Sequence, residues 1–352
     1  MGSILSRPTS DGKLENAGVR PQIRSLDWSP FRLLPNELVL YISSFLPREA
    51  MAALALTCHP LRLALPESFF KVPWEDKINF LELLERELPG HVVCRYCRKL
   101  HAIERAEMYL LTRIMRAPYS ACRWEQMWSD IDRYFHKEFS IVVFEMAMKQ
   151  YRLGLNTSRL LRLLSSEART YQKVGYVEQH NALARVVDSR LLMRDQRTCF
   201  MPADHQESLP QNAKFVICPH FTLSTSSLET LKRLPDKFDR SDPPETQACP
   251  SGTDLIPCRY CHTEFRVSFR SFGDSGTGVS IMTWKDLGGS LLDDKWRSHI
   301  GSEVDMIPFD RGSLCTAFED EDYRSFKLDW SLASEVQGRQ LKGKGSARKM
   351  FR

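Results

Sequence analysis

The sequence predicts an α+β protein: a helical N-terminal unit, a helix-rich segment after it, and a mainly antiparallel β region in the second half. Three observations carry that reading. Apolar residues recur three and four apart in the first half, the spacing of a helix face. From Tyr171 onward the runs become short and strand-like. Asp188-Ser189 and the glycine-rich stretch Gly273 to Gly278 separate those runs at hairpin spacing.

Residues 1–29 are polar and aperiodic, and read as a flexible leader. Pro35 then opens a helix to about Phe45: proline at a helix start loses no hydrogen bond, and Glu37 complements the positive end of the dipole. Leu38, Ile42, Phe45 and Leu46 share one face of it. Pro47 closes this helix and Arg48 to Met51 restart another, with Leu54, Leu56, Leu61 and Leu63 as its apolar positions. A third helix is expected from Trp74 to Leu88, where Phe80, Leu81, Leu84 and Leu88 align before Pro89-Gly90.

From Ile103 to Leu164 the spacing is mostly helical, with Met108, Leu111 and Met115 as one set and Val143, Met146 and Met148 near another. Strands are predicted over 171–178, 182–187 and 191–194, the last two joined by an Asp188-Ser189 turn. A further strand is expected over 214–223, then a long loop over 235–257, dense in Pro, Asp, Ser and Thr. Residues 264–272 and 279–287 form a hairpin around the glycine cluster.

Residues 33–70, with the opening Leu34-Pro35-x-Glu37-Leu38, then Ile42, Phe45-Leu46-Pro47 and Leu54-Ala55-Leu56-Thr57-Cys58 before Leu61, resemble an F-box. That resemblance places the F-box at 30–71 and implies docking to the Skp adaptor of a cullin-type ubiquitin ligase, with residues 72–335 as a mixed α+β region that holds an unknown protein substrate. It assigns Leu34, Pro35, Glu37, Leu38, Ile42 and Leu46 to the adaptor surface. Elementary physics agrees on the need for a partner. A helical unit of about forty residues buries too little surface to stand alone, so its apolar face must meet another protein or the rest of the chain.

The tetrapeptide Cys-Arg-Tyr-Cys occurs twice, at Cys94 to Cys97 and at Cys258 to Cys261. A two-residue gap lets both thiolates of a tight turn reach one zinc, and two such halves make a tetrahedral four-cysteine site of the closed, structural kind. His101, Cys218, His220 and His262 are alternative ligands, with Cys218-Pro219-His220 expected on one face of a strand. The competing reading is that these are buried thiols packing as small apolar groups. The order of these motifs, followed by Trp284, Asp286-Leu287-Gly288 and Trp296 to His299, is also similar to fungal F-box proteins over about 250 residues.

Composition sets the remaining expectations. Ten cysteines without an export signal suggest thiols or metal ligands rather than a disulfide framework, inside the cell, in cytoplasm or nucleus. The six cations between Arg339 and Arg352 form an acid-free tail, read as disordered over 336–352; taking them from the formal +5 leaves −1 for the body, which disfavours a nucleic-acid face. Gly2, followed by Ser6, fits the myristoylation pattern, and membrane association is expected only if it is acylated. Gly273-Asp274-Ser275-Gly276 imitates a serine-protease loop but lacks that family's following residues, so a turn is the better reading and no catalytic residue is expected. Trp124, Trp128, Trp284 and Trp296 are read as core residues before pocket residues.

Overall fold

The computed structural model describes residues 34–57, 59–95, 97–110, 122, 131–173, 176–202, 214–224, 238–239, 255–301 and 308–319. Gly2, the leader, the basic tail, Leu111, Met115, Trp124, Trp128 and most of the 235–257 loop lie outside these residues. The chain divides into two compact units, Met1–Leu83 and Leu84–Arg352. The division falls inside the third predicted helix, so residues 72–83 belong with the first unit rather than with the segment that follows it.

In the first unit, α1 (Asn36–Ser44) starts from Pro35, whose carbonyl accepts from the Leu38 and Val39 amides. Glu37 sits in its first turn, as dipole complementarity favours. Then follow α2 (Arg48–Thr57), α3 (His59–Ala64) and α4 (Lys77–Glu87). Among the described residues the buried apolar ones here are few: Val39, Ala52, Ala55, Leu61, Leu65 and Leu81. Ser43 is buried with them, its hydroxyl donating to Val39 O at 2.7 Å.

The second unit is built on a seven-stranded sheet. Strands β3 (Ser166–Lys173), β4 (Tyr176–Val187) and β5 (Arg190–Pro202) form an antiparallel meander. β11 (Gly276–Asp286) pairs antiparallel with β5, and β10 (Thr263–Ser271) antiparallel with β11. Short β8 (Phe238–Asp239) and β9 (Ile256–Pro257) pair with β10, parallel and antiparallel respectively. Two separate hairpins accompany the sheet: β1 (His91–Cys94) with β2 (Lys99–Ala102), and β6 (Lys214–Cys218) with β7 (Phe221–Ser224). The architecture is α+β with a mainly antiparallel sheet.

Strand alternation sorts the core into two faces. On one face, Leu191 and Met193 pack under α5 (Ile141–Arg152) and α6 (Ser158–Leu164) around Phe144 and Trp296. Farther along that face, Cys199, Phe265, Val267, Val279 and Ile281 pack against Phe215, Ile217 and Leu223 of the β6–β7 hairpin. On the opposite face, Leu192, Met282 and Trp284 meet Leu314 and Phe318. These last two belong to a short C-terminal helix, Ser313–Glu319.

Several expectations need correction. The strand predicted over 171–178 belongs to two strands, with Lys173 paired to Tyr176 across a hairpin. The strand predicted over 214–223 is a hairpin as well, because Pro219 cannot donate to a ladder and breaks the run. The strand predicted over 191–194 extends to Pro202: Asp195, Gln196 and Thr198 interrupt its apolar pattern yet are buried. The 235–257 loop contributes β8 and β9, which satisfy exposed backbone groups at the β10 edge. Cys94 lies on a hairpin that no periodicity announced.

Candidate metal centres and an exposed apolar helix face

The first centre grows from the β1–β2 hairpin. Cys94 ends β1 in register with Lys99, and Arg98 adopts φ 50°, the left-handed turn that lets the chain reverse. Arg98 N donates to Cys94 O at 2.8 Å, and Cys97 N points at Cys94 Sγ at 3.5 Å. The turn therefore brings two sulfurs to one side, and His101 on β2 places Nε2 3.1 Å from Cys97 Sγ. Cys122 adds a fourth donor, its Sγ 3.4 Å from Cys94 Sγ. The four ligand atoms all lie within 4.8 Å of one another.

The second centre repeats the construction with other parts. Cys218 ends β6 in register with Phe221, so Pro219-His220 form the hairpin turn between them. The Cys258-to-Cys261 turn precedes β10, closed by Cys258 N donating to Thr263 O at 2.8 Å and Thr263 N to Cys261 O at 2.7 Å. Tyr260 N points at Cys258 Sγ at 3.5 Å, the counterpart of the Cys97 amide in the first centre. Cys218 Sγ and Cys258 Sγ are 3.7 Å apart, and the ligand atoms of Cys218, His220, Cys258 and Cys261 again fall within 4.8 Å.

His220 is held for ligation. Its Nε2 donates to Gly301 O at 3.2 Å, which leaves the Nδ1 lone pair available in the neutral ring. That Nδ1 is buried and has no hydrogen-bond partner among the described residues. A backbone carbonyl on the far nitrogen is the usual way a protein fixes the tautomer and aim of a ligating histidine.

Electrostatics separate the thiols. The Cys122 hydrogen bond favours the Cys94 thiolate, but the hydrogen bond to Cys97 and burial outweigh it and push Cys94 up to about 11. The Cys122 contact and burial take Cys97 up to about 11 as well. Burial and the nearby Lys99 lower His101 to about 4, keeping its ring neutral. In the second centre the Cys218 and Cys261 thiols donate toward Cys258 and lower it, while the hydrogen bond to Cys258 and burial raise Cys218 to about 12. Charge placed on Cys218 or Cys261 would be favoured by the buried Lys285 ammonium.

The expected single site of Cys94, Cys97, Cys258 and Cys261 is therefore corrected. The structure does not bring the two Cys-Arg-Tyr-Cys turns to one point; each finds one further cysteine and one histidine of its own. A Cys-x-x-Cys turn supplies half a tetrahedron, and the fold alone decides where the other half comes from. His101, Cys218 and His220 take the places anticipated as alternatives. His262 does not join: its ring stacks on Phe309 at 5.4 Å. Cys122 was missed, since a single cysteine with no spacing partner carries no sequence signal. Cys315 is disulfide-bonded, whereas the cysteines of both centres carry thiols.

No family model matches the chain, nor does any curated protein or solved structure.

In the first unit, α1 turns Val39 and Ser43 inward and leaves Leu38 46%, Ile42 41% and Phe45 70% exposed. Leu40 and Tyr41 are exposed beside them, and Tyr41 meets Phe45 edge to face at 4.9 Å. Pro35 and Glu37 are exposed, while Leu34 and Leu46 are half-buried. Leu38, Tyr41, Ile42 and Phe45 together leave an apolar helix face exposed.

Trp284 and Trp296 are core residues. Trp284 Nε1 donates to Glu319 at 2.9 Å, and Trp296 stacks on Phe144, Phe135 and Phe139. The Asp286-Leu287-Gly288 stretch is a structural knot: the Asp286 carboxylate accepts from Gly288 N, Arg190 and Lys295, and its carbonyl from His299 Nε2.

Proposed function

We propose that this chain is the substrate-recruiting F-box subunit of a Skp/cullin/F-box ubiquitin ligase, working inside the cell. Residues 33–70 dock the Skp adaptor, and the unit from Leu84 onward binds a protein target. The single observation that supports this most is the open apolar face of α1, where Leu38 and Ile42, two residues that the F-box resemblance assigns to the adaptor, are exposed while Val39 holds the helix to its own small core. The chain contributes no catalytic group. It raises the effective concentration of the target beside the ubiquitin-loaded enzyme, which by itself accelerates transfer.

The test is a pulldown with purified Skp adaptor, comparing the full chain with a Leu38→Ala/Ile42→Ala variant whose helicity matches it by circular dichroism. Binding by the wild type and its loss in the variant supports the reading. A wild type that does not bind ends it.

A second reading, a zinc-stabilised protein-interaction module outside any ligase, draws its support from the two Cys/His clusters. It predicts a folded, metal-loaded chain that ignores the adaptor.

A further inference from the structure

We infer that the second unit holds two independent structural zinc ions, one bound by Cys94, Cys97, His101 and Cys122 and the other by Cys218, His220, Cys258 and Cys261. This inference does not depend on the adaptor reading.

Four features support it. The donor set is three sulfurs and one imidazole at each centre, a combination that tetrahedral zinc favours and that hard cations do not. The spacing fits one ion: Zn–S bonds of about 2.3 Å at tetrahedral angles put neighbouring sulfurs about 3.8 Å apart. Cys218 and Cys258 stand at 3.7 Å and Cys94 and Cys122 at 3.4 Å. Backbone amides of Cys97 and Tyr260 point at the sulfurs of Cys94 and Cys258, which stabilises thiolate charge once a metal has displaced the protons. The His220 Nδ1, buried with no hydrogen-bond partner among the described residues and held by the Gly301 carbonyl on the other ring nitrogen, is available to a metal within reach of three sulfurs.

Burial defines the role. Three of four ligands at each centre are buried and the fourth is half-buried, so four protein donors close the coordination shell and leave no place for a reacting water. The first ion ties Cys122 to the β1–β2 hairpin. The second ties the β6–β7 hairpin to the turn that leads into β10, joining a two-stranded sheet to the edge of the seven-stranded one. Each ion thereby links segments that no ladder connects among the described residues.

The experiment is zinc stoichiometry by elemental analysis of the purified full chain, followed by cobalt substitution. Two zinc ions per chain are expected. Cys94→Ser/Cys97→Ser and Cys258→Ser/Cys261→Ser should each retain one, and the combined variant none. Because such variants can misfold, His101→Cys and His220→Cys provide the second arm. Each should keep two ions and shift the cobalt charge-transfer bands from a three-thiolate toward a four-thiolate pattern. Less than one ion per chain, or cobalt spectra of six-coordinate type, overturns the inference. A single ion lost on mutation of either turn overturns it too, and restores one shared four-cysteine site.

Discussion

Lys285 Nζ lies 3.8 Å from Asp195 Oδ2, both side chains buried on the same face of adjacent strands. Asp195 also accepts from His180 Nε2 at 2.5 Å and lies 3.7 Å from Arg197, while Lys285 donates to Tyr134 O at 2.5 Å and sits over the Phe135 ring. Burial opposes ionisation of the Asp195 carboxyl, but the charges of His180, Arg197 and Lys285 hold it well below the usual carboxylate range. Burial lowers Lys285 in turn. Asp195→Asn strands a buried cation and should cost about 3–5 kcal/mol. Asp195→Asn combined with Lys285→Met should cost less than the two single changes together. Urea unfolding of the four proteins checks this; strict additivity would show that the pair is not coupled.

Lys149 is held by three backbone carbonyls, with the Glu85 carboxylate 3.5 Å away. Its Nζ donates to the carbonyls of Glu85, Leu88 and His91 at 2.7, 2.9 and 2.7 Å, closing the end of α4 onto the start of β1. Lys149→Met should destabilise the protein by about 3 kcal/mol, because carbonyls that lose a charged donor keep their desolvation cost. Lys149→Arg should not rescue it, since a flat guanidinium cannot point at three converging oxygens. Guanidinium unfolding midpoints measure both, and full rescue by arginine would refute the geometric argument.

Two histidines make stability sensitive to mild acid. Burial lowers His136 to about 4 and His299 to about 3, below the ordinary value of about 6.5. The unfolded chain therefore binds more protons between those limits, so stability is complete above about pH 6.5 and falls as the pH drops, by up to about 1.4 kcal/mol per unit for each histidine. His136→Gln or His299→Gln should flatten the slope of unfolding free energy between about pH 6 and pH 5. An unchanged slope in both variants would remove these residues from the account.

Asp188 and Ser189 both carry positive φ, 47° and 62°, at the tip of the β4–β5 hairpin. Two left-handed residues make the turn whose twist matches its strands, at a steric cost that glycine avoids. Ser189→Gly should stabilise the protein by about 0.5–1 kcal/mol, after allowing for glycine's greater freedom in the unfolded chain. Thermal unfolding decides it, and a lower midpoint would contradict the turn assignment.

Local rules were enough for much of the architecture. Pro35, Pro47 and the apolar spacing between them bounded the first two helices. Asp188-Ser189 marked its hairpin turn because both residues favour turns by local side-chain hydrogen bonding and aspartate tolerates the left-handed region. The β10–β11 hairpin followed from alternation around a glycine cluster. Local rules failed where polar residues are buried. Asp195, Gln196 and Thr198 end the apolar pattern of β5 on paper, yet the strand continues, because Asp195 meets His180 on β4 and Lys285 on β11 while Gln196 donates to Thr198 along the strand. Pro219 was read inside a strand, where its missing donor instead makes a turn.

By itself the sequence determined the α+β class, the amphipathic entry helix with its Leu38 and Ile42 face, and the two half-sites at Cys94-x-x-Cys97 and Cys258-x-x-Cys261, because each of these is written in residues close together along the chain. Only the tertiary structure decided which donors complete each half-site. Cys122 joins Cys94, Cys97 and the nearby His101, while Cys218 and His220 join Cys258 and Cys261 with the Gly301 carbonyl aiming the His220 ring; Cys122 and the Cys218-Pro219-His220 turn come from segments far away in sequence. The physical reason is range. A tight turn can aim two thiolates by itself, and its own hairpin can add a histidine as at His101, but a tetrahedron needs four donors, and Cys122 in one centre and Cys218 with His220 in the other arrive only when distant segments pack.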